Sequence, residues 1–248
     1  MSFILPSIGG GIIATPSAPP AFSNTYSVDF DGTDDKMQAG DSTTIASASV
    51  FTISAWARFH GSGQIFLASG TANQDRVYIE LFNTKVAVVV KNGAGGAARW
   101  TTSLSANTWY HIACTVDSGT SKLFVNGVYR ATASVATLSA TAGDDLSIGT
   151  DNGNGMSAFT FDGNVDEVSL FSSALSDGGG LSIGDTAGGD IATLYNSGVP
   201  GDISSLSPTS WWRMGDDGGT GTTITDQGSE GNDGTLVNGP TFSTTVPS

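Results

Sequence analysis

The stretch that decides the fold is 109–130, which reads WYHIACTVDSGTSKLFVNGVYR. From Tyr110 to Val116 every second residue is apolar, which is the period of a strand that buries one face. Further along, 123–125 and 128–130 flank the pair Asn126-Gly127. A two-residue type I′ turn prefers this pair because both of its central residues need a positive φ. The stretch therefore predicts a strand followed by a tight antiparallel hairpin.

The same period of two recurs along the rest of the chain. Strands are predicted at 27–31, 51–59, 76–82, 85–90, 145–149, 165–171, 211–214 and 234–237, and those at 76–82 and 85–90 are predicted to form a second hairpin around Asn83-Thr84. One short helix is predicted, with Asp190 as its N-cap and a stop at Gly198 and Pro200. Many short strands separated by Gly- and Asn-containing turns are typical of all-β proteins, and they indicate a two-sheet antiparallel sandwich.

The composition agrees with an all-β fold and limits the partners. Glycine accounts for 34 of the 248 residues and charged residues for only 13%, which argues against helical bundles and coiled coils. The net charge is −14, and from residue 131 onward 15 acidic residues face one basic residue, Arg213. Because such a surface repels phosphate backbones and anionic lipids, we expect neither nucleic acid nor a membrane as a partner. The single cysteine excludes an internal disulfide.

Four segments carry a resemblance to a known family. They are VDFDGTDD at 28–35, FTISAW at 51–56, WYH at 109–111 leading to LFVNG at 123–127, and FDGNVDEV at 161–168. In this order they resemble the laminin-G-like, concanavalin A-like jelly-roll superfamily. The resemblance implies two curved antiparallel sheets in a jelly-roll arrangement. We place this domain at 23–248, with 195–248 returning as closing strands, and part of that last segment also resembles such domains in marine phage sequences.

Residues 1–22 precede the first strand and are predicted to form an extended apolar arm. No Lys or Arg occurs before Lys36, and Pro6 and the run 9–11 of glycines interrupt the apolar residues. This pattern is not that of a secretory signal peptide, which has a positive start and an unbroken apolar stretch. An apolar strip of this kind favours contact with a partner, for example as a strand added to a neighbour's sheet.

The arm and the phage resemblance together favour a non-enzymatic virion structural protein, such as a capsid decoration, fibre or spike component. Such a protein is made in the host cytoplasm, located in the virion, and assembled with other virion proteins and with copies of itself as a homo-oligomer. The alternative is a carbohydrate-binding lectin or adhesin module of a cell-surface protein. Glycans are candidate partners in both interpretations.

Catalytic residues are not expected. A glycosidase needs two carboxyl groups about 5–9.5 Å apart. Asp162 and Asp166 have a suitable spacing if they lie on one strand face, but Gly163 and Asn164 predict a turn between them. His111 and Cys114 belong to the predicted strand of 109–116, and they are expected to be packed residues rather than a nucleophile and its base.

A calcium site is what the family resemblance implies. Such domains often hold calcium between a loop near the N-terminus and the Asp of a late Gly-x-apolar-Asp-Glu motif. Here Asp166 matches that Asp, and Asp31 with the carbonyl of Gly32 matches the N-terminal part, with Asp29 as a further candidate. Carboxylate and carbonyl oxygens are the ligands that calcium prefers. The alternative is that these residues only form turns.

A glycan platform is the remaining candidate site, since sugars stack on aromatic rings and take hydrogen bonds from nearby polar groups. Trp56 lies on the strand face opposite to Phe51, and Trp100 follows a Gly- and Ala-rich segment, so these two are the candidate platform residues. Trp109 and at least one of Trp211 and Trp212 are expected to fill the core between the sheets.

Overall fold

The computed structural model describes residues 21–41, 44–45, 48–61, 65–70, 76–91, 96–135, 138, 145–150, 159–216 and 221–248. The strands in this part of the chain are β1 (Ser27–Asp31), β2 (Lys36–Asp41), β3 (Val50–Phe59), β4 (Ile65–Gly70), β5 (Arg76–Phe82), β6 (Lys85–Lys91), β7 (Gly96–Thr101), β8 (Tyr110–Asp117), β9 (Thr120–Val125), β10 (Val128–Ser134), β11 (Asp145–Ile148), β12 (Asp162–Phe171), β13 (Ser210–Trp212), β14 (Thr223–Ile224), β15 (Gly234–Val237) and β16 (Thr241–Ser243). The α-helix α1 spans Gly189–Tyr195, and short 3₁₀ turns follow at Asn196–Gly198 and Ser204–Leu206.

The strands form two antiparallel sheets. The first sheet has the order β10-β9-β8-β3-β12-β1-β16, and β13 also pairs with β12. The second sheet has the order β14-β15-β2-β11-β4-β5-β6-β7. The prediction of an all-β, jelly-roll-like sandwich with one short helix is confirmed. The predicted arm lies outside the described residues except for its last two, Ala21 and Phe22.

Both predicted hairpins are present. In the turn between β9 and β10, Asn126 has a φ of 50° and Gly127 a φ of 70°. These are the two positive φ values that a type I′ turn requires. The turn of Asn83 and Thr84 joins β5 to β6, with Phe82 opposite Lys85.

The main core lies between the two sheets, and the alternation within each strand determines which residues enter it. On β1, Val28 and Phe30 are fully buried, while Asp31 on the opposite face is exposed. Ile53 of β3 and Trp212 of β13 are also fully buried in this core. Each such side chain contributes about 1.5–3 kcal/mol through removal from water.

A second apolar cluster covers the outer face of the first sheet. There α1 packs Ile191 and Leu194 against a group that includes Phe124, Tyr129 and Trp211. The helix begins at Gly189, with Gly188 as its N-cap, instead of after Asp190. The reason is that the Asp190 carboxylate accepts hydrogen bonds from the backbone N–H and the hydroxyl of Ser176, both at 3.0 Å. None of the helices in the described part is long and apolar enough to cross a membrane.

Two further local predictions are wrong. Trp109 does not fill the core, because its neighbour Tyr110 takes the inward position and Trp109 lies half-buried on the outer face of the first sheet. The predicted turn at Gly163 and Asn164 is part of the strand β12. Gly163 is needed there for close strand contact, since a Cβ at this position would lie 2.2 Å from the carbonyl oxygen of Arg58. Trp212 fills the core as expected.

Candidate functional site

An open groove of about 420 Å³ lies on the outer face of the first sheet. Its lining residues come from β3, from the segment just before β8, from the turn after β9, from the end of α1 and the turn that follows it, and from the last residue, Ser248. They are Trp56, Thr108, Trp109, Asn126, Tyr195, Ser197, Gly198, Val199 and Ser248. No carboxylic acid or histidine side chain belongs to this set. The groove therefore combines aromatic rings with amide and hydroxyl groups.

Trp56 forms the inner wall of the groove. Its ring stacks on Tyr195, with centroids 6.0 Å apart and an interplanar angle of 24°. Its ring also packs against the imidazole of His111, with the ring centroids 5.0 Å apart. Because these neighbours cover it, Trp56 is only 4% exposed. The rings available to a ligand are those of Tyr195 and Trp109, which are both half-buried.

Tyr195 is positioned by the turn between β9 and β10. A Cβ on Gly127 would lie 2.6 Å from Cδ1 of the tyrosine, so only glycine allows the ring to lie this close to the backbone. Gly127 also accepts a hydrogen bond from the N–H of Ala187 at 2.8 Å, which ties the turn to the segment before α1. The Asn-Gly turn therefore positions the aromatic wall as well as joining two strands.

Asn126 presents an amide of fixed orientation. Its Oδ1 accepts a hydrogen bond from the backbone N–H of His111 at 2.8 Å. Because a backbone N–H can only donate, the oxygen of the amide must face the strand and the NH₂ group is left for other partners. Nearby, the indole N–H of Trp109 is buried and has no acceptor among the described residues.

His111 itself is a structural residue. It is fully buried, and its Nε2 lies 2.8 Å from the hydroxyl of Ser54. Burial lowers the pKa of His111 to about 3, so the imidazole is neutral at physiological pH. Its expected role as a packed strand residue is confirmed, and so is that of Cys114, which is buried in the main core.

Polar side chains continue the outer face beyond the groove. Arg58 donates from a guanidinium nitrogen to Oδ1 of Asn164 at 2.8 Å. The ring of His60 contacts Asn164 through Nε2 at 3.0 Å and Asp162 through Nδ1 at 2.9 Å. Asp29 lies next to them, and burial raises the pKa of its carboxyl group, an effect that the nearby His60 opposes.

The acidic pair Asp166 and Glu167 lies buried under this face. Glu167 accepts hydrogen bonds from Nε1 of Trp211 at 2.6 Å and from Nε of Arg213 at 3.1 Å. Burial nevertheless raises the pKa of Glu167 to about 7. Burial, together with the charge of Glu167, also raises the pKa of Asp166 well above its ordinary value. Neither carboxyl group lines the groove.

The predicted calcium ligands are not brought together. Asp31 pairs with Asp162 across β1 and β12, so Asp166 lies four residues further along the strand, about 13 Å away. Both Asp166 oxygens already accept hydrogen bonds, from Asn24 and from the N–H of Glu167. The carbonyl of Gly32 accepts one from the hydroxyl of Thr160. These residues do not fit an ion shared between Asp31 and Asp166.

Asp31 has two acidic neighbours instead. Carboxylate oxygens of Asp31, Asp34 and Asp35 lie within 4.8 Å of one another. Two of these oxygens are used in the turn itself, since Asp31 accepts from the N–H of Thr33 and Asp35 from the N–H of Asp31. Calcium binding at Asp31 stays a prediction.

The second predicted platform residue, Trp100, lies elsewhere. It is on β7, at the edge of the second sheet, where it packs against the main core. The guanidinium of Arg130 lies over its ring at 4.4 Å. Of the two predicted platform residues, only Trp56 therefore belongs to the groove.

The two sheets, their order and the covered outer face define a concanavalin A-like jelly-roll sandwich. The chain belongs to the Concanavalin A-like lectin/glucanases superfamily, whose laminin G profile matches residues 31–178. This confirms the family resemblance seen in the sequence. No curated protein is similar enough in sequence to count as a relative.

Among the solved structures that share the fold, two illustrate the similarity. A protein from Bacteroides ovatus, named as a candidate carbohydrate-binding protein, has 21% identity and a TM-score of 0.62, and the match covers 91% of this chain and 62% of that one. The CBM40 domain of the Ruminococcus gnavus IT-sialidase, solved with α2,3-sialyllactose, has 19% identity and a TM-score of 0.51, with 61% and 91% of the two chains covered. The chain thus spans under two thirds of the Bacteroides protein.

Proposed function

We propose that this chain is a non-catalytic carbohydrate-binding module that binds a glycan in the groove of Trp56, Trp109, Asn126 and Tyr195. The observation that carries the proposal is the pairing of exposed aromatic ring surface with an amide donor of fixed orientation. Sugar rings stack their C–H faces on aromatic rings, while their hydroxyl groups need directional hydrogen bonds. The names of the two structural neighbours support the same class of ligand.

The distribution of carboxyl groups supports binding without catalysis. Glycoside hydrolysis needs two carboxyl groups that both reach the substrate. No lining residue of the described groove has a carboxyl side chain, and of the two acids considered from the sequence, Asp162 and Asp166, Asp166 is fully buried. We therefore expect the module to bind glycans and leave them intact.

A glycan array followed by calorimetric titration tests this function. Tyr195→Ala and Asn126→Ala should each weaken binding by about tenfold or more, since each removes a main contact of the ligand. Tyr26→Ala is the matched control, because Tyr26 is 40% exposed at the far edge of the first sheet beside Phe242. Array binding that Tyr195→Ala leaves unchanged would place the ligand elsewhere, and an array without any binding would refute the function.

The virion structural role stays a prediction from sequence. Its main physical support is the apolar arm of residues 1–22, and residues 1–20 lie outside the described part of the chain. Assembly with other virion proteins, homo-oligomer formation and a virion location depend on the same segment. A glycan-binding module is compatible with this role as well as with the alternative, a lectin or adhesin module.

A further inference from the structure

A row of polar side chains crosses three strands on the outer face of the first sheet. Arg58 of β3 pairs with Asn164 of β12, and Asn164 pairs with Asp29 of β1. Neighbouring strands are about 4.8 Å apart, so these side chains lie next to one another in a line across the sheet. The hydrogen bond from Arg58 to Asn164 places both on the same face.

This polar row is continuous with the aromatic groove. Tyr110 at the start of β8 pairs with Ala57, and the N–H of Asn107 donates to the carbonyl of Phe59 at 2.8 Å. The segment from Asn107 to Tyr110 therefore runs beside Arg58, and Trp109 lies within it. From Trp109 to Asp29 the line spans three strand spacings, about 14 Å, which is longer than one pyranose ring.

The row has hydrogen-bonding capacity that the protein itself does not use. Arg58 has Asn164 as its hydrogen-bond acceptor and no carboxylate at ion-pair distance among the described residues. Oδ1 of Asp29 is buried without a hydrogen-bond partner, and Nε2 of His60 lies 3.6 Å away. The rest of the Asp29 side chain is accessible to a ligand, since this side chain is 38% exposed. One end of the row can therefore donate and the other can accept.

Asn164 is only 2% exposed, so the residues of the row that can face a ligand are its two ends. We infer that Arg58 and Asp29, at the ends of this polar row, form a second subsite, and that the ligand is an oligosaccharide lying across the strands. One ring lies on Trp109 and Tyr195, and the next ring presents neighbouring hydroxyl groups to the row. A hydroxyl both donates and accepts, so two adjacent ones match an arginine at one end and a carboxylate at the other. This inference rests on the proposed glycan-binding function and adds the size and orientation of the ligand to it.

Chain-length dependence of the affinity tests the second subsite. The probes are the oligosaccharide that binds most strongly on the array and its terminal monosaccharide, titrated against the full chain. For the wild type, the oligosaccharide should bind about tenfold more tightly than the monosaccharide, the usual effect of hydrogen bonds to charged groups. Asp29→Ala and Arg58→Met should abolish most of this ratio and leave the monosaccharide affinity within about twofold.

Controls separate this inference from the proposed function. Asp117→Ala removes an exposed carboxylate at the end of β8, outside the row, and should keep the ratio. Thermal unfolding of each variant, together with the isosteric variant Asp29→Asn, excludes loss of folding as the cause of a lower affinity ratio. Tyr195→Ala should weaken both probes. If Asp29→Ala and Arg58→Met retain the full ratio, or the wild type shows none, the second subsite is refuted while monosaccharide binding still supports the groove; if no glycan binds, both are refuted.

Discussion

Replacement of Glu167 by glutamine tests how the buried acidic pair affects folding. Glu167 has a positive φ of 46° at the bulge of β12, and its carboxyl group faces Trp211 and Arg213 from the C-terminal segment. Asp166 beside it and Asp216 add negative charge, while Arg213 supplies the positive charge. Arg213 also donates to the carbonyl of Ser23, so the cluster joins the chain before β1 to the sandwich.

The direction of the pH effect follows from the pKa of Glu167, which rises from an ordinary 4.5 to about 7 on folding. Below pH 4.5 the carboxyl is protonated in both states, and the stabilisation from tighter proton binding in the folded state is fully present. As the pH rises from 4.5 through 7, the unfolded state ionises first and this stabilisation is lost. The pKa difference corresponds to about 3 kcal/mol in the free energy of unfolding. The raised pKa of Asp166 likewise lowers the free energy of unfolding as the pH rises.

Urea unfolding at pH 5, 6, 7 and 8, followed by tryptophan fluorescence, measures this effect. The wild type should lose stability between pH 5 and 8, and Glu167→Gln should remove about 2.5 kcal/mol of that loss, because glutamine does not ionise. Glu80→Gln is the control; it breaks the ion pair with Lys85 in the second sheet and leaves Glu167 intact. Parallel pH profiles for the wild type and Glu167→Gln would show that the burial argument is incorrect.

Three further predictions concern the groove, the metal and the arm. Gly127→Ala should destabilise the fold by about 1–2 kcal/mol in urea unfolding and weaken glycan binding, because alanine is strained at φ 70° and displaces Tyr195. If calcium binds at Asp31, chelation should lower the melting temperature, Asp31→Asn should abolish that shift and Asp166→Asn should keep it; a chelator without effect would contradict the site. Deletion of 1–20 should leave the sandwich folded and abolish oligomerisation in light scattering, and an unchanged oligomer would show that the arm is only a tail.

Of the candidate site, the period-two pattern predicted one platform residue, Trp56. It placed Trp56 on the face opposite to Phe51, and this is the outer face on which the groove lies. The same pattern, with Tyr110 and Ile112 inward, also puts Trp109 on the outer face. The expectation that Trp109 fills the core, based on its size, contradicts this pattern and is wrong. Asn126 was recognised as a turn residue, but its amide's role in the groove depends on a hydrogen bond to His111.

The calcium prediction shows the limit of matching motifs one by one. Asp31 and Asp166 each match a family position, yet the antiparallel register pairs Asp31 with Asp162 and leaves Asp166 buried beside Asn24. The register between β1 and β12 depends on which residues of both strands enter the core. Neither strand's own sequence fixes the distance between the two carboxylates.

Local sequence alone determined most of the strands, the two hairpins and the family, because side-chain alternation and turn preferences act over a few residues. The strands β2, β4, β7, β14 and β16 were not predicted from it. Only the tertiary structure decided where a ligand could bind. The groove unites β3, the segment just before β8, the Asn126-Gly127 turn and the end of α1, which are far apart in the chain. Tyr195 reaches Trp56 because α1 is held on the outer face by its apolar residues and by the glycine turn below it. The contact between Tyr195 and Trp56 depends on how α1 and its flanking residues pack on the sheet, and no local sequence pattern specifies this packing.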